Sequence, residues 1–363
     1  MSRLPHGRPP GANGCDTLLQ RRFRAGEFIA EYAIKSVSFL SFALIVLIFV
    51  FVFREAMPLF SQSERPAASA EEVAQETYGE DPADEAAQAA LRSDRDDRAA
   101  SVENAETEGA ATLKNLAGTE WQPVSAKPKF GLLPLMVGSF KVTMISVLLG
   151  APIAILVALF TAFFAPKGLK MILKPVVEFL SGFPSVVIGF FALVEMATLL
   201  QNMFGYEYRL NAFVGGAALS LAVIPIIYTV TDDALAAIPT YMTEASLALG
   251  ATRWQTALFV VLPAATPGIF AAVLLGIGRA FGETMIVLMA TGNAALMSLD
   301  LFQPVRTMSA TIGAEMAEVV FGDTHYNVLF LIGSILFIFT FALNAVAEFY
   351  VRARLLKRFR GSA

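Results

Sequence analysis

The sequence is poor in the residues from which catalytic and metal centres are usually built. Its 363 residues include one cysteine, Cys15, and two histidines, His6 and His325. A single cysteine excludes an intramolecular disulfide and a Cys-rich metal site, and two histidines argue against a His-built metal centre. No phosphate-binding loop of the form Gly-x-x-x-x-Gly-Lys-Ser/Thr is present. Any ATP hydrolysis must therefore come from a partner, and we expect this chain to bind no cofactor.

Charged residues are scarce as well. They make up 16% of the chain, whereas hydrophobic residues make up 56%. An ordinary soluble domain carries about 25% charged residues. In a chain of this length, such a deficit favours a membrane protein.

Six apolar stretches are long enough to cross a bilayer, which takes about 20 residues. The first runs from about Ile34 to Phe53. It is longer than the apolar part of a signal peptide and lacks a small-residue cleavage site, so an uncleaved span is favoured over a signal peptide. The pattern therefore predicts an all-α polytopic membrane protein with six transmembrane helices. The other five spans are predicted at 138–164, 174–200, 212–231, 267–290 and 328–350.

Basic residues define the expected orientation. They cluster in the N-terminal segment, in the loop 165–174 and at the C-terminus, which places all three on the cytoplasmic side of a bacterial inner membrane. Between the first two spans, residues 61–130 are rich in Ala, Glu, Asp and Ser, a composition typical of a disordered tether. The predicted divisions are a cytoplasmic segment 1–32, a first transmembrane helix 33–54, an acidic, largely disordered periplasmic segment 55–130, a five-helix core 131–352 that includes the cytoplasmic segment 232–266, and a basic cytoplasmic tail 353–363.

The cytoplasmic segment 232–266 contains a spaced motif. It reads Glu244-Ala245-Ser246, three residues, Gly250, nine residues and then Val260-Val261-Leu262-Pro263. Gly250 is expected to end a helix of small residues. An exposed apolar stripe of Trp254, Leu258 and Phe259 should come next. Pro263 and Pro267 are expected to end this segment before the next membrane helix.

The motif resembles the Glu-Ala-Ala loop of ABC-importer permeases, with Ser246 and Val260 replacing an Ala and an Ile. The resemblance implies that Glu244–Pro263, called the coupling segment below, docks a separate ATPase. A helix with an exposed apolar stripe suits a groove on a partner, and a helix lying on the membrane surface is the alternative. The residues expected to couple the chain to the ATPase are Glu244, Ala245, Ser246, Gly250, Leu262 and Pro263.

Two opposite charges lie inside the fifth predicted span. Arg279 and Glu283 are four residues apart and should share a helix face. The glycines Gly276, Gly278 and Gly282 should let neighbouring helices approach. One interpretation is structural, with the two charges neutralising each other. The other is functional, with Arg279 offering its fork of donors to an oxyanion. The chemistry of the residues alone leaves both open.

Three stretches of the chain are similar to phosphate-specific permeases of the PstC type. They are Gly278-Arg279-Ala280-Phe281-Gly282-Glu283-Thr284-Met285 with the subsequent Gly292-Asn293, Leu133–Ser139, and Phe183–Phe190. The resemblance covers about residues 130–350. It implies a type I ABC importer permease fold, phosphate as substrate, and a role in phosphate passage for Arg279 and Glu283.

The resemblance also implies a set of partners. They are a PstA-type permease, two ATP-binding subunits that hold ATP-Mg, a periplasmic phosphate-binding protein and membrane lipid, with no nucleic acid. The expected mechanism is alternating access without covalent chemistry in this chain. Two alternatives remain: a permease for sulfate, molybdate or a phosphonate, and a membrane scaffold for phosphate-starvation signalling.

Other charged residues have weaker expected roles. Glu178 is expected to pair with Lys174, and Asp232 and Asp233 to contribute to the ATPase contact. His325 is expected at a solvated surface. Glu195 is expected to face another helix. Arg306, Glu315 and Glu318 are expected on the external side of the membrane.

Overall fold

The computed structural model describes residues 25–61, 113–125 and 127–360. They form two compact units, one ending at Phe51 and the other beginning at Val52. The predictions for 1–24, for the 62–112 part of the acidic tether and for 361–363 lie outside the described residues. The described residues are mostly helical, which confirms the all-α prediction.

The helices and strands succeed one another along the chain in this order. They are α1 Ala25–Ala56, α2 Pro58–Ser61, α3 Leu113–Leu116, β1 Trp121–Gln122, β2 Lys129–Phe130, α4 Leu133–Phe163, α5 Lys167–Ser181, α6 Ser185–Phe191, the π-helical turn π1 Ala192–Met196, α7 Ala197–Phe204, α8 Ala212–Ala236, α9 Thr240–Ala248, α10 Arg253–Gln255, the π-helical turn π2 Thr256–Val261, α11 Leu262–Gly282, α12 Met285–Ala290, α13 Met308–Glu315 and α14 Thr324–Arg360.

Among the described residues, five helical stretches are long and apolar enough to cross a membrane. They are Leu133–Phe163, Ser185–Phe204, Ala212–Ala236, Arg253–Gly282 and Thr324–Phe349. The predicted first span 33–54 falls within α1, a continuous helix of 32 residues. A crossing by α1, and with it the count of six spans, stays a prediction.

Helix α8 is central to the second unit and packs against α4, α11, α12 and α5. Small residues let α8 approach α4 closely: a Cβ at Gly216 of α8 would lie 2.5 Å from the Ile145 Cγ2 of α4, and one at Gly150 of α4 would lie 3.4 Å from the Ser220 Cβ of α8. Small side chains let membrane helices pack closely without a hydrophobic driving force between them. A Cβ at Gly276 of α11 would lie 2.7 Å from the Ile227 Cδ1 of α8, so the close crossing of these helices requires glycine there.

The other two glycines predicted to permit close packing in α11 have more room within the chain. A Cβ at Gly278 would make an ordinary 3.4 Å contact with Asn344 Oδ1, and one at Gly282 would meet nothing within 4 Å. The prediction is therefore confirmed for Gly276, and for Gly282 it stays a prediction.

The third span starts later than the predicted residue 174. Helix α5 ends at Ser181, the chain turns at Gly182–Pro184, and the span begins at Ser185. None of the residues of α5 is buried. The difference arises because Pro184 lacks an N–H and disfavours helical geometry in the residue before it. An amphipathic helix thus precedes the span.

The end of the predicted tether is folded. Strands β1 and β2 pair antiparallel, with Trp121 opposite Phe130. Both rings are buried and join Leu116, Leu329 and other apolar residues in one core cluster. The segment 113–130 therefore differs from the predicted disordered chain because its few apolar residues bury together against α13 and α14.

Candidate functional site

The coupling segment begins within helix α9. No residue of α9 is buried; Glu244 and Ala245 are exposed, and Ser246 is partly buried. The helix ends at Ala248, and Gly250 comes two residues later with a φ of +88°. A Cβ at Gly250 would meet nothing within 4 Å, so the left-handed backbone, and not lack of space, calls for glycine. The helix therefore ends close to where the sequence predicted.

A tight cap starts the next helix. The Thr252 hydroxyl accepts a hydrogen bond from the Gln255 N–H, and the Gln255 side chain accepts one from the Thr252 N–H. This reciprocal pair is a capping box, which satisfies two N–H groups that the start of a helix leaves without intrahelical partners. The turn between α9 and α10 is therefore well defined at both ends.

The exposed apolar stripe is present in part. Trp254 and Phe259 are 57% and 73% exposed, and Leu249 beside them is 89% exposed. Leu258 is partly buried against the core instead. Exposed apolar side chains of this kind are what a docking helix presents to a partner.

The end of the coupling segment differs from the prediction. Pro263 and Pro267 do not end the segment, because α10, π2 and α11 run on as one helical stretch from Arg253 to Gly282. Pro263 lies directly after π2, where the π-helical turn has already changed the regular hydrogen-bond pattern that a proline interrupts. Leu262 packs partly against the core, and Pro263 is exposed.

A hydrogen bond joins the two halves of the coupling segment. The hydroxyl oxygens of Ser246 in α9 and Thr256 at the start of π2 are 2.9 Å apart. Thr256 is only 1% exposed. The serine that departs from the Glu-Ala-Ala pattern thus has a buried partner ten residues further along the chain.

Arg279 and Glu283 lie at the other end of the same helical stretch. The distance from Arg279 Nη2 to Glu283 Oε2 is 3.8 Å, a loose ion pair. The Arg279 side chain is 53% exposed, whereas that of Glu283 is 9% exposed. Most of the guanidinium donors therefore remain available to another group.

The helix breaks at Glu283, which differs from the predicted continuous span 267–290. Glu283 has an extended backbone with ψ of 131°, and α12 starts only at Met285. The Ser309 hydroxyl of α13 donates to the Glu283 carbonyl at 2.7 Å. This bond satisfies a carbonyl that the broken helix leaves without its usual partner, and it holds the break in place.

A partly buried polar group, the Glu315 cluster, comprises Trp121, Arg306, Glu315 and His325. Glu315 accepts hydrogen bonds from Arg306 and from Trp121 Nε1, the latter at 3.2 Å, and its other oxygen lies 2.9 Å from His325 Nε2. Burial acts to raise the pKa of Glu315, but the bonds from His325 and Trp121 and the charge of Arg306 prevail and lower it below its usual 4.5.

The Glu315 cluster corrects the prediction for His325. Its side chain is 11% exposed, and its ring contacts those of Trp121 and Phe130. Arg306 also donates to Asn293 Oδ1 at 3.0 Å, so the Gly-Asn end of the phosphate-permease motif is tied to this cluster. Sequence reasoning missed the cluster because Trp121 is far from the other members in sequence, and Arg306, Glu315 and His325 lie on three separate elements that only the fold brings together.

Lys174 pairs with a residue other than the predicted Glu178. Its Nζ lies 3.0 Å from Asp232 Oδ2, and this hydrogen bond raises the pKa of Lys174 against the opposing effect of burial. The Asp232 side chain is 6% exposed, so Asp232 ties α5 to α8 and is not free to contact a partner. Asp233 is exposed, and so is Glu195 in π1.

A buried lysine was also missed. Lys141 of α4 donates to the Asp300 carbonyl at 2.9 Å and is 7% exposed. Its bond anchors the loop 291–307 on α4. Nothing in the sequence indicated this bond, because a single lysine within an apolar run forms no periodic pattern that would reveal its partner.

The chain matches a known family model over residues 150–356, more than half of its length. The model describes binding-protein-dependent transport system inner membrane components. The chain belongs to this family. Together with the five apolar helices, the match confirms a multi-pass inner-membrane permease of the type I ABC importer fold. Such a permease is non-catalytic: a separate subunit hydrolyses ATP, and a substrate-binding partner delivers the substrate.

Relatives of known assignment support the same class. A "Probable ABC transporter permease protein YqgH" of Bacillus subtilis is 36% identical over 233 residues, which cover 64% of this chain and 75% of the relative. A "Phosphate transport system permease protein PstC" of Mesorhizobium japonicum is 33% identical over 253 residues, covering 64% and 76%. PstC 1 of Mycobacterium bovis is 30% identical over 286 residues, covering 68% and 85%.

Solved structures are more distantly similar. An inward-facing MetNI methionine ABC transporter chain is 21% identical, with a TM-score of 0.44 over 61% of this chain and 94% of that one. A bacterial ABC transporter involved in alginate import is 15% identical, with a TM-score of 0.46 over 61% and 79%.

Proposed function

We propose that this chain is a permease subunit that translocates inorganic phosphate inward across the inner membrane. The observation that carries the proposal is Arg279, whose guanidinium is half exposed on a membrane span and only loosely paired with Glu283. A charge in a span is expensive and usually functional, and the guanidinium fork matches the oxygens of phosphate. Relatives named as phosphate permeases support this substrate.

Glu283 has a supporting role in the pathway. Its carboxylate is nearly buried and lies 3.8 Å from Arg279, close enough to attract the guanidinium without occupying all its donors. We expect Glu283 to hold Arg279 in place when no anion is bound. When phosphate arrives, its greater charge outcompetes this loose contact.

The coupling segment connects the pathway to ATP. We propose that Glu244, Ala245, Ser246, Gly250, Leu262 and Pro263 form or shape the surface that docks an ATPase subunit holding ATP-Mg, on the cytoplasmic side with both termini. The continuous helical stretch Arg253–Gly282 joins this surface to Arg279. ATPase closure would thus open the pathway outward, and hydrolysis would return it inward, in a complex with a PstA-type permease, two ATPases and a periplasmic phosphate-binding protein.

Uptake by the complete complex tests this function. Replacement of Arg279 by Ala should reduce labelled-phosphate import at least about 100-fold, as expected for loss of a charged group that contacts the transported ion. Assembly of the complex should persist. Lys170→Ala is the control, because Lys170 is an exposed cation of α5 outside both the coupling segment and the spans.

Competition identifies the anion. Excess unlabelled phosphate should abolish import, whereas sulfate, molybdate or a phosphonate should not. Competition by sulfate without competition by phosphate would overturn the substrate assignment. Normal import by the Arg279→Ala variant would remove Arg279 from the pathway. No import of any of these anions by the assembled, unmodified complex would support a scaffold function instead.

A further inference from the structure

Ser246 is the position at which the chain departs from the Glu-Ala-Ala pattern, and its hydroxyl is directed at its own chain. It lies 2.9 Å from the Thr256 hydroxyl. Thr256 is 1% exposed, so its hydroxyl has no access to bulk water. The serine therefore supplies a hydrogen-bond partner to a buried group, which an alanine could not do.

The bond joins α9 to π2, against which this helix packs. No residue of α9 is buried, so packing alone holds this helix weakly against the rest of the chain. The Ser246 carbonyl also accepts a hydrogen bond from the Ala251 N–H, 3.2 Å long. Both the backbone and the side chain of Ser246 thus connect α9 to residues beyond its C-terminal end.

The partner on the other side lies at the base of a span. Thr256 is the first residue of π2, and the helical stretch continues from it to Gly282, beyond Arg279. A π-helical turn is a rare local widening of a helix that is frequent at functional sites. A displacement of Thr256 would therefore act on the span at the π-helical turn, where the backbone hydrogen-bond pattern of the helix changes.

We propose that the Ser246–Thr256 hydroxyl pair is a positioning contact that transmits movement of the docking helix α9 to the span that carries Arg279. This inference rests on the proposed function, because it assigns the pair a task within ATP-driven import. Ser246 acts through Thr256 and touches neither phosphate nor the ATPase with its hydroxyl.

The two hydroxyls differ in burial, since that of Thr256 is buried and that of Ser246 is partly exposed, and this difference makes the proposal testable. Removal of the Ser246 hydroxyl leaves the buried Thr256 hydroxyl without this partner, which is the costly case. Removal of the Thr256 hydroxyl leaves Ser246, which is partly exposed and can bond to water. Loss of both together is less harmful than the sum, because no buried donor is stranded.

The experiment measures coupling in the complete complex, reconstituted into vesicles with its partner subunits. The quantity is phosphate imported per ATP hydrolysed, which a merely structural contact would leave unchanged in the complexes that assemble. The variants are Ser246→Ala, Thr256→Val, the double variant and Ser246→Thr, which keeps a hydroxyl. The control is Thr266→Val, since the exposed Thr266 hydroxyl bonds only to the Leu262 carbonyl of its own helix, at 3.2 Å.

We expect Ser246→Ala to lower the ratio about two- to ten-fold, the range of one hydrogen bond. Thr256→Val should lower it less, the double variant should be no worse than Ser246→Ala, and Ser246→Thr should restore it. The ATPase should co-purify equally with all variants.

Three results would overturn the inference. They are ratios equal to that of Thr266→Val, independent losses that multiply in the double variant, and loss of ATPase co-purification in Ser246→Ala, which would mean that Ser246 contacts the ATPase directly. Import of a different anion by the unmodified complex would contradict the phosphate assignment alone. The ratio of that anion imported per ATP hydrolysed, compared among the same variants, would still test the role of the Ser246–Thr256 pair.

Discussion

The two ends of the helical stretch Arg253–Gly282 are built in opposite ways. At the Arg253 end, α9 has no buried residue, and Leu249, Trp254 and Phe259 are exposed. Beyond the Gly282 end, the buried Ser309 bonds to the carbonyl at the helix break, and the Glu315 cluster bonds to Asn293 through Arg306. The polar groups beyond Gly282 are satisfied within the chain, whereas the Arg253 end presents exposed apolar side chains, which we propose an ATPase subunit covers.

This difference indicates which end keeps its structure when the chain is without its partner subunits. Buried polar groups that satisfy one another hold a unique geometry. A surface helix with few buried contacts keeps its position only weakly and can move with whatever binds it. We therefore expect substitutions beyond Gly282 to change the stability of the isolated chain, and substitutions near Arg253 to change binding and coupling.

The largest effect on stability should come from Glu315→Ala. The change strands Arg306 and His325 in a nearly buried site, and breaking a buried pair in this way costs about 3 kcal/mol or more. Thermal unfolding of the purified chain in detergent measures it. Glu318→Ala is the control, because Glu318 is exposed and its loss should change stability by less than about 0.5 kcal/mol. Equal unfolding temperatures for the two variants would refute the importance of the cluster.

A smaller effect should result from Gly250→Val. Valine at a φ of +88° costs about 1–2 kcal/mol, which the turn can relieve by displacing α9. We expect the chain to unfold at nearly its usual temperature but to recover less ATPase on co-purification. Gly168→Val, at an exposed glycine with open space around it and no positive φ, should leave that recovery unchanged. Full recovery with Gly250→Val would show that the turn geometry does not matter for docking.

The smallest effect on stability should come from Leu249→Ser combined with Phe259→Ser. Both side chains are mostly exposed, so the free energy of unfolding should change by less than about 0.5 kcal/mol. Binding of the ATPase, measured by titration with the purified subunit, should nevertheless weaken. Val320→Ser, 74% exposed beyond the other end, provides the comparison. Unchanged ATPase affinity in the double variant, or a large loss of stability, would contradict the inference that the Arg253 end serves binding and the Gly282 end serves stability.

Local signals in the sequence predicted much of the coupling segment. Glycine spacing located the turn at Gly250, and apolar length located the spans at 138–164 and 212–231 close to their observed positions. Prolines were harder to interpret. Pro184 does separate α5 from the span after it, whereas Pro263 lies within a continuous stretch because a π-helical turn precedes it. The effect of a proline depends on the hydrogen-bond pattern around it, which its neighbours in sequence do not reveal.

The sequence by itself determined the class of protein, because apolar length, scarcity of charge and motif spacing are properties of local runs of residues. Only the tertiary structure decided which polar groups meet: Lys174 with Asp232, His325 with Glu315, and Ser246 with Thr256. The physical reason is the short reach of these bonds. A hydrogen bond acts over about 3 Å, and the packing of whole helices decides which residues come that close.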